Sequence, residues 1–469
     1  MELSCRIGMS LSKSQTTIGA VAAIFIIAAI LGAAGCGCSS ERAAPELQGV
    51  VLVSIDTLRA DRLPIYGYDR AVAPFLTQLG EQGVVFEQAL AQSPWTGPSH
   101  GSLLTSRHPS ALQLGDWRKP RPLPTGAVTL AEVLRDAGFR THAVVGGGYL
   151  SARTGFDQGF ERFEEEASFA SSPSVDRALT WLEELPRDER FFLFLHTYQV
   201  HHYAPSPEAS RRWVRSYDGP LLRVRSLPTL LEFPELWRRS LSGLQEADLR
   251  YVTDLYDAAL YSVDGELARL HRLLASKGFE RRTLFVVTSD HGEEFLDHGG
   301  TGHGWNLYQE NLRVPLIVWH SSLPPRRIAQ PVRLLDVSPT IVGLAGLDAS
   351  PDWRGRSLEP LLRGEEADIP PAYAEHAHVP LRALRSGAFK YIEDLDGSAP
   401  QLFDLERDPT ETNNLAGSDH EAEERLREAL RAQAAAIAEA AFPARGSALD
   451  ATLLQRLKEL GYVEPPSSQ

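Results

Sequence analysis

Cysteine is scarce in this chain of 469 residues: there are three, Cys5, Cys36 and Cys38. All of them lie near the amino terminus, so no disulfide framework can staple the folded body, whose stability has to come from packing. Positive charge is also in short supply. Lys and Arg total 47 against 61 Asp and Glu, a net charge of −14, which excludes the broad basic footprint that displaces counterions from nucleic acid. No internal repeat is present. What remains is 43% hydrophobic and 23% charged, an ordinary globular composition long enough to bury one large core or two smaller ones.

At the amino terminus, Arg6 and Lys13 precede an uncharged apolar run at 18–31, followed by Gly32-Ala33-Ala34-Gly35 and Cys36. That is the layout of a bacterial export signal. Ala34-Gly35-Cys36 resembles the end of a lipoprotein signal, with Ala33 where Leu is usual. An uncleaved membrane anchor of marginal length is the alternative, and simple secretion a third. The expectation is therefore a signal peptide or anchor at 1–35 and a tether at 36–48. The protein would be exported to the cell envelope and held at the membrane through lipidated Cys36 or the anchor itself.

The run at 50–55 is continuously apolar and ends in Asp56; further runs of this kind lie at 142–145, 191–195, 284–288 and 315–319. Buried strands covered on both faces read this way, with functional residues at their carboxyl ends. Between them, 130–137, 175–185 and 249–274 carry apolar residues three or four apart, as helices do. The pattern predicts an α/β fold, a mostly parallel mixed sheet sandwiched by helices, over 49–365. Beyond it, 366–469 changes texture. Short segments at 381–386, 389–393 and 401–405 predict a small antiparallel sheet, and 421–440 an Ala- and Glu-rich helix packed on it or exposed beside it, before a helical tail.

Several polar residues sit where strands end. Asp56 follows the first strand, in Ser54-Ile55-Asp56-Thr57-Leu58-Arg59-Ala60-Asp61, and Asp290-His291-Gly292-Glu293 follows the run ending Thr288-Ser289. Carboxylates supply hard oxygen ligands, and an imidazole beside them widens the choice toward Mn²⁺ or Zn²⁺, whereas an all-oxygen set favours Ca²⁺ or Mg²⁺. Taken singly, Asp56 reads equally well as a helix cap and Asp290-His291-Gly292 as a turn. Thr96, in Trp95-Thr96-Gly97-Pro98-Ser99-His100, stands at a helix entry with Pro98 in the first turn, where unpaired N–H groups and the helix dipole favour an anion.

The stretch from Ser93 to Arg107 resembles the nucleophile segment of sulfatases in the alkaline phosphatase superfamily. There a Cys or Ser, oxidised to formylglycine, opens a Cys/Ser-x-Pro-Ser-Arg pentapeptide. Here Thr96 occupies the first position and His100 the last. Leu402-Phe403-Asp404-Leu405 with Asp408-Pro409-Thr410-Glu411 and Asn414-Leu415 is similar to the segment that closes the sulfatase C-terminal subdomain, so the likeness runs from about residue 50 to about 415. It implies a divalent cation, Mn, Zn or Ca, held by Asp56, Thr96, Asp290 and His291. Asp290-His291 replaces the Asp-Asn of calcium-holding members, and Thr57 replaces a second Asp. The resemblance also implies substrate contacts and catalysis by His201 and His303, with His100 as a further substrate contact. His202 reads as a neighbour of His201, His298 as structural, and Arg59 and Asp61 as groups that position Asp56 or a second metal.

Threonine cannot become formylglycine, and a sulfated threonine lacks the second hydroxyl that releases sulfate by hemiacetal collapse. A phosphothreonine can be attacked at phosphorus. The sequence therefore favours a hydrolase of phosphate or sulfate esters through Thr96, with phosphodiester cleavage or phosphoryl transfer preferred. A sulfuric ester hydrolase and an inactive envelope protein binding anionic glycans or lipids are the competing readings. Either enzyme would act on a small anionic ester, a glycan or a lipid headgroup.

Overall fold

The computed structural model of the protein describes residues 47–114, 121–166, 173–223, 245–376, 379–418 and 421–443. The export segment, Cys36, nearly all of the tether and the tail after 443 lie outside the described residues. Among the described residues no helix is long and apolar enough to cross a membrane.

The chain forms strands β1 (Gly49–Ile55), β2 (Val84–Leu90), β3 (Arg140–Val145), β4 (Arg162–Glu165), β5 (Phe191–Thr197), β6 (Thr283–Thr288), β7 (Glu294–Phe295), β8 (Thr301–Gly302), β9 (Arg313–Trp319), β10 (Arg326–Ile328) and β11 (Val332–Arg333), then β12 (Ala372–His376), β13 (Leu381–Ser386), β14 (Phe389–Asp394) and β15 (Gln401–Asp404). The large sheet runs β10-β2-β9-β6-β1-β5-β3-β4, with β11 also pairing β2. It is mostly parallel, and β9 runs antiparallel to both β2 and β6. All five expected apolar runs are strands of this sheet. β2 and β4 were not foreseen, because Glu87 and Gln88 interrupt β2 at a bulge against β9 and β4 is Arg-Phe-Glu-Glu.

Burial on two faces explains the apolar runs. Along β1, Val50 and Leu52 pack into one core with Phe192, Phe194, Leu284 and Val286, while Val51, Val53 and Ile55 pack into the other with Leu193, Leu195, Phe285 and Val287. Strand side chains alternate between faces, so only a strand covered on both sides needs every residue apolar. Helices Thr96–Thr105, Leu130–Asp136 and Val337–Leu344 lie on the first face, and Pro74–Gln82, Pro173–Glu184 and the long Glu246–Lys277 on the second.

The small sheet β12-β13-β14-β15 is antiparallel. The helix Glu421–Glu439 packs on it through Leu426, Leu430, Ala434 and Ile437, against Tyr373, Leu384, Tyr391 and Leu402. The opposite face of that sheet sends Ala374, Ala383, Ile392 and Phe403 into the main core.

Candidate active site

The sheet register assembles the site. Ser54 of β1 pairs with His196 of β5 on one side and Thr288 of β6 on the other, so the residues just past these strand ends share one rim. The chain turns sharply after Asp56. Thr57 adopts a left-handed φ of 60°, which directs its N–H to Asp290 Oδ1 (3.3 Å). On the other strand, a Cβ on Gly292 would stand 1.9 Å from the Glu310 carbonyl oxygen, so only glycine lets the two segments approach.

Asp56, Asp290 and His291 are fully buried, and one donor atom from each lies within 4.8 Å of the others. Asp290 Oδ1 accepts from the His291 and Thr57 N–H groups at 3.0 and 3.3 Å. Its Oδ2, like Asp56 Oδ1, has no hydrogen-bond partner among the described residues. His291 Nδ1 donates to the Gly292 carbonyl at 2.9 Å, so the neutral ring turns the Nε2 lone pair toward the cluster. Nε2 stands 3.3 Å from Asp290 Oδ2, 3.9 Å from Asp56 Oδ1 and 3.4 Å from Thr96 Oγ1. Bare acceptors facing one another in a water-poor interior repel unless a proton or a cation sits between them. Burial accordingly pushes the Asp56 carboxyl up to about 7. Two orphaned carboxylate oxygens and an imidazole lone pair fit a divalent cation.

Thr96 opens the helix Thr96–Thr105, after extended Trp95. Its hydroxyl reaches Asp56 Oδ2 at 3.3 Å, at the end of the helix where early N–H groups lack intrahelical partners. Four of the expected residues, Asp56, Thr96, Asp290 and His291, thus come together.

His303 and His201 stand beside them. The His303 ring lies 4.5 Å from that of His291 and 5.0 Å from that of His201. Burial pushes His303 down to about 4 and His201 well below the usual imidazole range, the latter helped by neighbouring histidines. Both are poised as neutral rings. His202 is 4.7 Å from His201, ring to ring.

His100, expected on the substrate, is placed differently. It is fully buried, with Nδ1 donating to the Thr96 carbonyl (2.9 Å) and Nε2 accepting from Ser54 Oγ (2.9 Å). Both nitrogens are engaged by the protein, which makes His100 a brace between the helix and β1 rather than a group open to substrate.

Arg59 forms ion pairs with Asp61 and Asp297 and donates to the Glu293 carbonyl. It ties the loop after β1 to the loop after β6. His298 is held by Glu310 and the Glu411 carbonyl.

Three partners were not foreseen. His196 accepts from the Gly146 N–H and donates through Nε2 to Asp56 Oδ2 (3.0 Å), which orients that carboxylate. Glu293 Oε1 faces His303 Nδ1 at 3.3 Å. Ser99 Oγ donates to the Asp290 carbonyl at 2.6 Å. His196 had a legible signal, since it follows the apolar run 191–195 as Asp56 follows the run 50–55.

The sulfatase family model matches residues 48–347, and the model of the C-terminal region of N-sulphoglucosamine sulphohydrolase matches residues 301–439. The chain is 24% identical to arylsulfatase K of Bos taurus over 88% of this chain and 86% of that protein. It is 23% identical to a Delta 4,5-hexuronate-2-O-sulfatase of Bacteroides thetaiotaomicron over 82% of this chain and 88% of that protein. Similar solved structures include a protein bound to its substrate D-glucosamine-2-N,6-O-disulfate, at 18% identity and TM-score 0.70, covering 84% of this chain and 98% of that one. Another is the phosphonate monoester hydrolase of Agrobacterium radiobacter, at 21% identity and TM-score 0.66, covering 82% and 96%. These two share the fold. With the family model covering well over half of its length, the chain belongs to the sulfatase family of the alkaline phosphatase superfamily, a family of ester hydrolases.

Proposed function

We propose that this protein hydrolyses phosphate esters through Thr96, or transfers their phosphoryl group to an acceptor alcohol. The observation that carries the reading is the Thr96 hydroxyl, 3.3 Å from Asp56 Oδ2 and 3.4 Å from His291 Nε2 at the first turn of a helix. In this reading Asp56, Asp290, His291 and Thr96 would hold a divalent cation, Mn²⁺, Zn²⁺ or Ca²⁺. Bound there, it would stabilise the threonine oxygen as a nucleophile and polarise the ester.

The chain's own residues do the rest. His196 keeps Asp56 oriented, and His100 holds the Thr96 helix against β1. The N–H groups of the first helical turn favour the ester's oxygens. Thr96 attacks phosphorus in line, its proton passing to Asp56 Oδ2 3.3 Å away, and the P–O bond to the leaving alcohol breaks; the neutral rings of His303 and His201 donate hydrogen bonds that stabilise that oxygen, which takes its proton from solvent. Attack of water at phosphorus then frees Thr96, whose oxygen recovers its proton from Asp56 while the water adds to the released phosphate and gives one proton to solvent. The catalytic residues fall in the domain at 49–365, which is followed by the C-terminal subdomain and helical tail at 366–469. The substrates proposed are small anionic esters, including glycan and lipid-headgroup esters.

The preference for phosphate rests on Thr96, whose sulfate ester has no hemiacetal exit. Purified wild-type protein, without any formylglycine-generating partner, should turn over aryl phosphates or phosphodiesters at least roughly tenfold faster in kcat/KM than matched sulfate esters. Robust sulfate turnover with negligible phosphoester turnover would establish the second reading, a sulfuric ester hydrolase, which the names of the curated relatives favour.

The same proposal places the enzyme at the cell envelope. Cys36→Ser should move the protein from the membrane to the soluble fraction if Cys36 carries lipid. Retention of that variant on the membrane would point instead to an uncleaved anchor at 18–31.

A further inference from the structure

Glu411 ends the segment Asp408-Pro409-Thr410-Glu411 in the C-terminal subdomain, yet it touches both feet of the loop that carries His303. Its Oε2 accepts from the Gln309 N–H at 2.6 Å, and its main-chain oxygen lies 3.2 Å from His298 Nε2. Its Oε1 pairs with Lys390 Nζ of β14 at 2.6 Å, and both side chains are fully buried. The backbone sharpens the point. Glu411 has a left-handed φ of 54°, a conformation that Gly, Asn or Asp adopts more easily, so the longer carboxylate here has work that a turn residue would not do.

Between the two feet the loop is internally braced. β7 pairs with β8, the Glu294 carboxylate accepts from the His298 and Gly300 N–H groups and from Asn306 Nδ2, and His298 stacks on Tyr308 at 3.7 Å. Glu294, His298 and Glu310 form a compact cluster, but these hydrogen bonds and that between His298 Nδ1 and Glu310 Oε1 (2.8 Å) already engage their polar atoms. They act as a brace rather than a cation site. A stiff loop fixed at both ends holds whatever it carries, and His303 follows β8 directly.

We propose that Glu411, seated by Lys390, is a positioning residue that fixes the 298–309 loop and through it His303, so that the C-terminal subdomain completes the active site. The role given to His303 rests on the function proposed above; the clamp itself does not.

Two variants test it. The double variant Glu411→Gln with Lys390→Met removes both charges, so no unpaired ion is left buried. Gln309→Pro removes the N–H that Glu411 captures, along with the Gln side-chain amide, at the first position of a short helix where proline is tolerated. Both should bind metal like wild type, and their amides at 298–309 should exchange with solvent about tenfold or more faster. On an aryl phosphate both should lose roughly tenfold in kcat with little change in KM, as expected when a group that stabilises the leaving oxygen is misplaced rather than a binding group lost. Wild-type kcat in the variants, with or without faster exchange, would overturn the positioning role, and unchanged exchange in both would overturn the clamp. If the double variant fails to fold, Gln309→Pro decides by the same two readouts. Should wild-type protein hydrolyse none of the esters, the function proposed above fails by itself while the exchange comparison still judges the clamp.

Discussion

Thr96→Ala should lose roughly two or more orders of magnitude in kcat on phosphate esters, about 2.7 kcal/mol or more of barrier. The loss follows from geometry. Thr96 Oγ1 lies within 3.4 Å of both Asp56 and His291 and is fully buried at the start of its helix, so no solvent hydroxyl occupies an equivalent position ready-made. Folding should survive. Trp95, not Thr96, is the residue preceding the helix, and no side-chain capping bond is lost with the Thr96 hydroxyl. The measurement is steady-state turnover of an aryl phosphate, with circular dichroism as the folding control and labelled substrate to trap a phosphorylated Thr96 in the wild type. Near-wild-type kcat in a folded Thr96→Ala protein would remove threonine from the mechanism.

Asp290→Asn should weaken divalent-metal binding by roughly 100-fold or more, since removing a ligand costs at least as much as removing a group behind one. The substitution is well controlled. Asn retains an oxygen to accept from the His291 and Thr57 N–H groups, as Asp290 Oδ1 does, and replaces the orphaned Oδ2 with an amide nitrogen that cannot bind a cation. Neighbours should therefore stay in place while the charge and the lone pair disappear. Titration calorimetry and metal analysis after dialysis read the affinity directly, and excess metal should restore part of the activity. Full metal content in this variant would remove Asp290 from the ligand set.

Much of the layout was written in the chain itself. Continuous apolar runs at 50–55, 191–195 and 284–288 demanded strands covered on both faces, and β1, β5 and β6 lie side by side with alternate residues in two cores. Because those runs end in polar residues, the sequence itself assigns Asp56 and the Asp290-His291 pair to the carboxyl ends of buried strands. Periodicity likewise marked the long helix Glu246–Lys277 and the helix Glu421–Glu439.

Tertiary structure alone decided direction and partnership. The run at 315–319 specifies a buried strand whichever way it points, and only its pairing made β9 antiparallel to both neighbours. A helix rich in Ala and Glu can lie on a sheet or beside it; Leu426, Leu430 and Ile437 settled it against β13 and β14. The histidines show the limit most clearly. Spacing cannot tell that His100 is held on both nitrogens by Thr96 and Ser54, that His196 braces Asp56, or that Glu411 reaches Gln309. Except for the one helical turn from His100 to Thr96, each of these bonds joins residues far apart in sequence. Apolar pattern fixes which residues are buried through local chemistry, whereas which buried polar atom meets which is set by strand order and register, and those belong to the folded sheet as a whole.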